Sequence, residues 1–199
     1  MAHHALIVID LQNDFCPGGA LAVAGGDQIV PLVNEIAATA EHVILTQDWH
    51  PPHHSSFASS HPGKNPFENI EMPYGPQTLW PDHCIQGSGG AAFHPALNKS
   101  KAELIIRKGF RTAIDSYSAF FENDHKTPTG LAGYLRERGI GEITLVGLAT
   151  DFCVAYSALD AVKQGFATTV RLDACRGIDL GGSLEAMLTK MRAAGVALT

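Results

Sequence analysis

The run Ala5-Leu6-Ile7-Val8-Ile9-Asp10 is apolar, rich in β-branched residues, and stops on a carboxylate. Val43-Ile44-Leu45-Thr46 repeats that form shortly before Asp48. Between them Ile29, Leu32, Val33, Ile36, Ala37 and Ala40 fall three and four apart, the spacing of one helix face. Strand, helix and strand in that order predict a parallel pair with a crossover helix, because parallel strands cannot be joined by a tight turn. The same rhythm continues outward. Strands are expected at Leu104 to Arg107, Ile143 to Val146, Thr168 to Leu172 and Val196 to Leu198. Helices are expected around Leu131, Tyr134 and Leu135, from about Phe152 to Gln164, and over Leu184, Met187, Leu188 and Met191. The chain therefore reads as α/β with six strands.

At roughly 150 residues per domain, 199 residues predict one domain over 1–199, with an insertion at about 48–100 that breaks the rhythm. Hydrophobic content of 45% and charged content of 17% suit a globule and exclude disordered or collagen-like chains. Fourteen basic against twenty acidic side chains give a formal charge of -6, which repels phosphate backbones and anionic lipid. Neither nucleic acid nor a membrane is expected as partner, while a homo-oligomer stays open. The start Met1-Ala2-His3-His4 lacks the basic flank of a signal peptide, and no apolar run could span a bilayer, so a cytoplasmic location is expected. Cys16, Cys84, Cys153 and Cys175 lie far apart without a CxxC pair, which predicts reduced thiols.

The insertion is rich in Pro, Gly, His and Asn, and six of the ten histidines fall between His50 and His94. Loops of this length inside compact domains are usually functional, and something other than the segment's own core is expected to hold it, a bound metal first. Asp48-Trp49-His50 sets two alternate side chains on one side of an extended segment, with His54 and His83 available to close a site. Imidazole with carboxylate matches Zn(II), Fe(II) or Mn(II), and a set without thiolate argues against a closed structural zinc site. His53, His61 and His94 read as surface or turn residues.

In open α/β sheets the ligand crevice lies beyond the carboxyl ends of the strands. Asp10, Asp48, Lys108 and the group Thr150, Asp151 and Cys153 all follow predicted strands. Val146-Gly147-Leu148-Ala149-Thr150-Asp151-Phe152-Cys153-Val154 passes from a strand through a tight turn into a helix, so Cys153 sits in the first turn. Free N–H groups and the helix dipole there favour a thiolate and can cradle an oxyanion. Asp10 is placed to act as general base and Lys108 to keep Asp10 ionised. Cys16, Cys84 and Cys175 lack this context and read as packing residues.

Five segments carry a family resemblance: Ile9-Asp10-Leu11-Gln12-Asn13-Asp14-Phe15, Gln47-Asp48-Trp49-His50-Pro51, Leu79-Trp80-Pro81-Asp82-His83-Cys84, Ile106-Arg107-Lys108-Gly109 and Gly147-Leu148-Ala149-Thr150-Asp151-Phe152-Cys153-Val154. Together they resemble, in order and over nearly the whole chain, the nicotinamidase (pyrazinamidase) branch of the isochorismatase-like cysteine hydrolases. The resemblance implies a three-layer α/β/α fold around a six-stranded, mostly parallel sheet. It also implies hydrolysis of nicotinamide to nicotinate and ammonia in NAD salvage, often with activity on pyrazinamide, through a triad of Asp10, Lys108 and Cys153. Asp48, His50 and His83 would bind one divalent ion, zinc ahead of iron or manganese, that receives the pyridine nitrogen. His54 matches a fourth ligand present in some relatives only. Phe15, Leu21, Trp80, Tyr117 and Phe152 match the ring pocket, Phe152 standing where some relatives carry His. Leu148-Ala149 matches a cis peptide that turns the N–H groups of Ala149 and Cys153 toward the oxyanion.

Rival readings are weaker on the residues. By the same resemblance, isochorismate hydrolysis needs no cysteine, and relatives acting on carbamoyl groups generally lack the Asp-x-His set. A thiol redox module needs a resolving cysteine, and none lies near Cys153 in sequence.

Overall fold

The computed structural model describes residues 3–199. Six parallel strands form the main sheet: β1 (His3–Ile9), β2 (His42–Asp48), β5 (Ala102–Lys108), β6 (Ile140–Leu148), β7 (Ala167–Arg176) and β8 (Ala197–Leu198), in the spatial order β5-β2-β1-β6-β7-β8. Strand β1 is central and its last five residues are buried, which is why it reads as an unbroken apolar run instead of an alternating one. Its side chains divide between two cores. Ala5, Ile7 and Ile9 face helices α2 (Leu131–Glu137), α3 (Ala155–Lys163) and α4 (Ser183–Ala193), whereas Leu6 and Val8 face α1 (Val30–Thr39). Each Ile, Leu or Val among them contributes about 1.5–3 kcal/mol by leaving water. The period-2 division of β1 thus fixes a helix layer on either side of the sheet.

Strand order reverses between β1 and β6, since the chain builds toward β5 on one side and toward β8 on the other. A crevice opens at such a reversal beyond the carboxyl ends of the strands. The approach of β6 to β1 is close: Gly147 has φ of 120°, and a Cβ at that position would overlap the backbone of Ile9. Only glycine fits there.

All six expected strands and four expected helices are present, several longer than their apolar centres. Strand β6 starts at Ile140 and β7 runs to Arg176, because ladder pairing continues through residues whose side chains reach solvent. The segment 48–100 differs from expectation in two ways. It contains an antiparallel hairpin, β3 (Asn69–Met72) with β4 (Gly75–Thr78), that its composition did not announce. It also has apolar anchors of its own, for Trp80, Cys84, Ala91 and Leu97 are buried in the core on the α1 side. Ordinary packing therefore holds much of the segment before any ion is considered. Among the described residues no helix is long and apolar enough to cross a membrane.

Candidate active site

Asp10 leaves β1 with φ of 46°, a left-handed conformation uncommon outside glycine. Thr46 at the end of β2 steadies it, its hydroxyl donating to Asp10 Oδ1 at 2.6 Å and accepting the Asp10 backbone N–H at 3.1 Å. Lys108, the last residue of β5, reaches under the crevice with its Nζ 2.8 Å from Asp10 Oδ2, 3.4 Å from Cys153 Sγ and 2.9 Å from the Ser116 carbonyl, and it also pairs with Asp48 Oδ1. Acid, amine and thiol, expected together from three strand ends, do meet, and all three are buried. A buried ion cluster of this kind is poor stabilisation, because desolvation offsets most of the Coulomb attraction.

Charge here follows burial and neighbours. Burial pushes the Asp10 carboxyl above its usual pKa, only partly opposed by Lys108. Burial would lower the Lys108 pKa, but Asp10 and Asp48 outweigh it and hold the amine well above its ordinary value. Cys153 departs from the sequence-based expectation. Its turn, Thr150–Val154, is π-helical and leads into α3, yet burial pushes the thiol well up, and Asp10 and Asp48 add to the rise against the pull of Lys108. That direction is the reverse of what a helix-terminus position alone would give. The Leu148–Ala149 peptide just before this turn is cis.

Asp48 faces two ways. With Oδ1 on Lys108, its Oδ2 lies 3.5 Å from His50 Nε2 and 3.8 Å from His83 Nε2. His50 Nδ1 donates to the Gly109 carbonyl at 2.9 Å, and His83 Nδ1 donates to the Pro81 carbonyl at 2.8 Å. Those bonds fix the tautomers and leave both Nε2 lone pairs beside the carboxylate. One atom from each of Asp48, His50 and His83 lies within 4.8 Å of the others, all three residues are buried, and the donor set suits a borderline divalent ion. Gln12 braces the group, accepting the Asp48 N–H at 2.8 Å and donating to its carbonyl at 2.9 Å. Lys108 holds the Asp48 carboxyl well below the usual range despite its burial.

His54 stands apart from this set in its bonding. Its Nε2 donates to the carbonyls of Arg111 at 2.9 Å and Ile114 at 3.2 Å, and its Nδ1 is engaged by Ser56. Both ring nitrogens are thus committed to protein atoms.

A narrow, partly open hollow of about 20 Å³ lies between the Cys153 sulfur and the His83 imidazole. Phe15, Leu21, Trp80, Tyr117 and Phe152 line it as expected, with Ala149 beside Cys153. Trp80 and Phe152 meet edge to face at 4.9 Å between ring centroids, and Tyr117 meets Phe152 at 5.7 Å. Two lining residues escaped sequence reading. Ile178 follows β7 and could have been found by the strand-end rule, whereas Asp115 lies in a loop without periodicity, where a buried acid resembles a solvated one. Asp151 fixes Ile178: its carboxylate accepts the N–H groups of Ile178 at 2.9 Å and Asp179 at 2.8 Å, and the Ser183 hydroxyl.

Residues 4–199 match the isochorismatase domain family. A nicotinamidase of Acinetobacter baylyi is 58% identical over 96% of this chain and 90% of its own length. Among solved structures, the Acinetobacter baumanii nicotinamidase/pyrazinamidase superposes with a TM-score of 0.98 at 61% identity, covering 100% of this chain and 96% of its own. The L. infantum protein PnC1, solved in complex with nicotinate, gives 0.87 at 37% identity over 100% and 92% of the two chains. The Pyrococcus horikoshii pyrazinamidase, solved in complex with zinc, gives 0.80 at 36% identity over 99% and 98%. The chain is an amidohydrolase and belongs to the isochorismatase family, on its nicotinamidase branch.

Proposed function

We propose that this chain hydrolyses nicotinamide, and also pyrazinamide, to the aromatic acid and ammonia through a thioester on Cys153, as a step of NAD salvage. The observation that carries the reading is one pocket lined by Cys153, by Asp48 and His83, and by aromatic rings, with Lys108 Nζ 3.4 Å from the Cys153 sulfur and Asp10 paired to Lys108 in the protein interior. Nicotinate in the L. infantum relative fits the same chemistry.

Asp48, His50 and His83 are the residues that would hold a divalent ion, zinc by analogy with the Pyrococcus relative, and the ion would supply a Lewis-acidic anchor for the ring nitrogen. The aromatic walls orient the ring so that its carboxamide faces the sulfur. Asp10 takes the Cys153 proton as the sulfur adds to the carboxamide carbon, and the backbone N–H groups of Ala149 and Cys153 hold the oxyanion. Collapse breaks the C–N bond, and Asp10 returns the proton to the departing ammonia. Asp10 then deprotonates a water that attacks the thioester, and the thiol is restored as nicotinate leaves. Lys108 balances charge on Asp10 throughout. Four unpaired thiols suit a reducing compartment, so we place the reaction in the cytoplasm.

The test is Cys153→Ala. Ammonia release from nicotinamide should fall below detection while equilibrium binding of nicotinamide persists, and turnover within about tenfold of the parent would remove Cys153 as nucleophile.

A further inference from the structure

The hairpin β3–β4 places Gln77 inside the protein, where the side chain is fully buried. Its amide is engaged at both ends. Gln77 Nε2 has three acceptors sharing its two hydrogens, the Thr78 carbonyl at 2.7 Å, the Tyr117 hydroxyl at 2.9 Å and Asp115 Oδ2 at 3.0 Å, while Gln77 Oε1 accepts from the Tyr74 hydroxyl at 3.2 Å and from Asn123 Nδ2 at 3.1 Å. Exchanging oxygen and nitrogen would set the amide oxygen against a carboxylate, so the partners themselves fix the orientation. The Tyr117 hydroxyl also accepts the Trp80 indole N–H at 3.1 Å. One line of hydrogen bonds therefore runs from Gln77 through Tyr117 to Trp80, and both rings are pocket wall.

We propose that Gln77 is a positioning residue for the substrate ring. It does not line the hollow; it sets Tyr117 and, through the shared hydroxyl, the edge-on seat of Trp80, whose ring centroid is 6.1 Å from that of Tyr117 at an interplanar angle of 80°. Two aromatic rings packed only by apolar contact have several seats of similar energy, whereas a bonded hydroxyl between them selects one. The hairpin thereby has a task separate from the His83 end of the same segment: it determines the shape of the slot that a flat aromatic amide enters. This inference rests on the nicotinamide reading of the pocket and names the group that fixes its specificity.

Gln77→Met keeps length and removes every amide hydrogen bond. In the metal-loaded protein its KM for nicotinamide should rise roughly tenfold with kcat within about twofold of the parent, the split expected when ring seating is lost and the reacting groups are untouched. Tyr117→Phe should raise KM similarly, and the double variant should be no worse than Tyr117→Phe alone, because the two substitutions break one line of bonds. Unchanged KM in Gln77→Met, a fall confined to kcat, or strictly additive effects in the double variant would overturn the proposal. Should Gln77→Met fail to fold, Tyr74→Phe removes one donor from Gln77 Oε1, and a KM raised about threefold supports the role whereas an unchanged KM overturns it. If the parent releases no ammonia from nicotinamide, the substrate reading itself has failed, an outcome separate from any result on Gln77.

Discussion

Asp48 lends one carboxylate oxygen to Lys108 and turns the other to His50 and His83, so one side chain joins the proton-handling side of the pocket to the candidate metal ligands. His50 depends in turn on Gly109. That residue has φ of 64°, its carbonyl receives the His50 Nδ1–H, and a Cβ there would overlap the imidazole. Gly109→Ala must therefore move either the backbone or the ring. Loss of such a supporting contact typically lowers metal affinity about 10–100-fold. Competition with a colorimetric zinc chelator would measure this, and an affinity equal to the parent's would count against His50 as a ligand. The proximity of Asp10, Lys108 and Cys153 was legible in the sequence because each lies at or just after a strand end. The burial of the sulfur was not, since position in a turn is sequence-local whereas what covers Cys153 comes from distant parts of the chain.

The main-sheet strands and their helices are readable at the scale of elements, because buried parallel strands form unbroken apolar runs and helix faces repeat every three to four residues. Hairpin β3–β4 is hidden for the opposite reason: Gly75-Pro76-Gln77-Thr78 has little intrinsic strand preference, and three partners of Gln77, Asp115, Tyr117 and Asn123, come from the loop after β5. Asp151 works at this scale too, tying the turn before α3 to the segment that brings in Ile178 and opens α4. Hydrogen bonds to a charged acceptor contribute about 1.5–3 kcal/mol each, and a protein of this size loses roughly 2–4 °C of melting temperature per kcal/mol. Asp151→Ala should thus melt at least about 4 °C below the parent by calorimetry and bind nicotinamide more weakly through the freed Ile178 wall. A variant with the parent's melting temperature and KM would show that the tie carries no weight.

Across the whole molecule, the reversal of strand order between β1 and β6 creates the crevice, and insertion 48–100 supplies its far side. The first of these follows from chain order and short connections; the second required seeing which loop folds over which strand end. That division predicts how the protein responds to a chelator. The sheet, with its two apolar cores, should remain folded, and the insertion should stay docked through Trp80, Cys84, Ala91 and Leu97, while ring anchoring is lost. Stripped protein should show a circular dichroism spectrum like the parent's and a KM for nicotinamide raised at least about tenfold, recovered on adding zinc. An unchanged KM in protein assayed as metal-free would reject the anchoring role.

Trp80, Tyr117 and Phe152 meet edge to face around a narrow, partly open hollow. Walls of that kind admit a sheet-like molecule and turn away a puckered one, so amides on flat six-membered rings should be hydrolysed and amides on saturated rings of the same size should not.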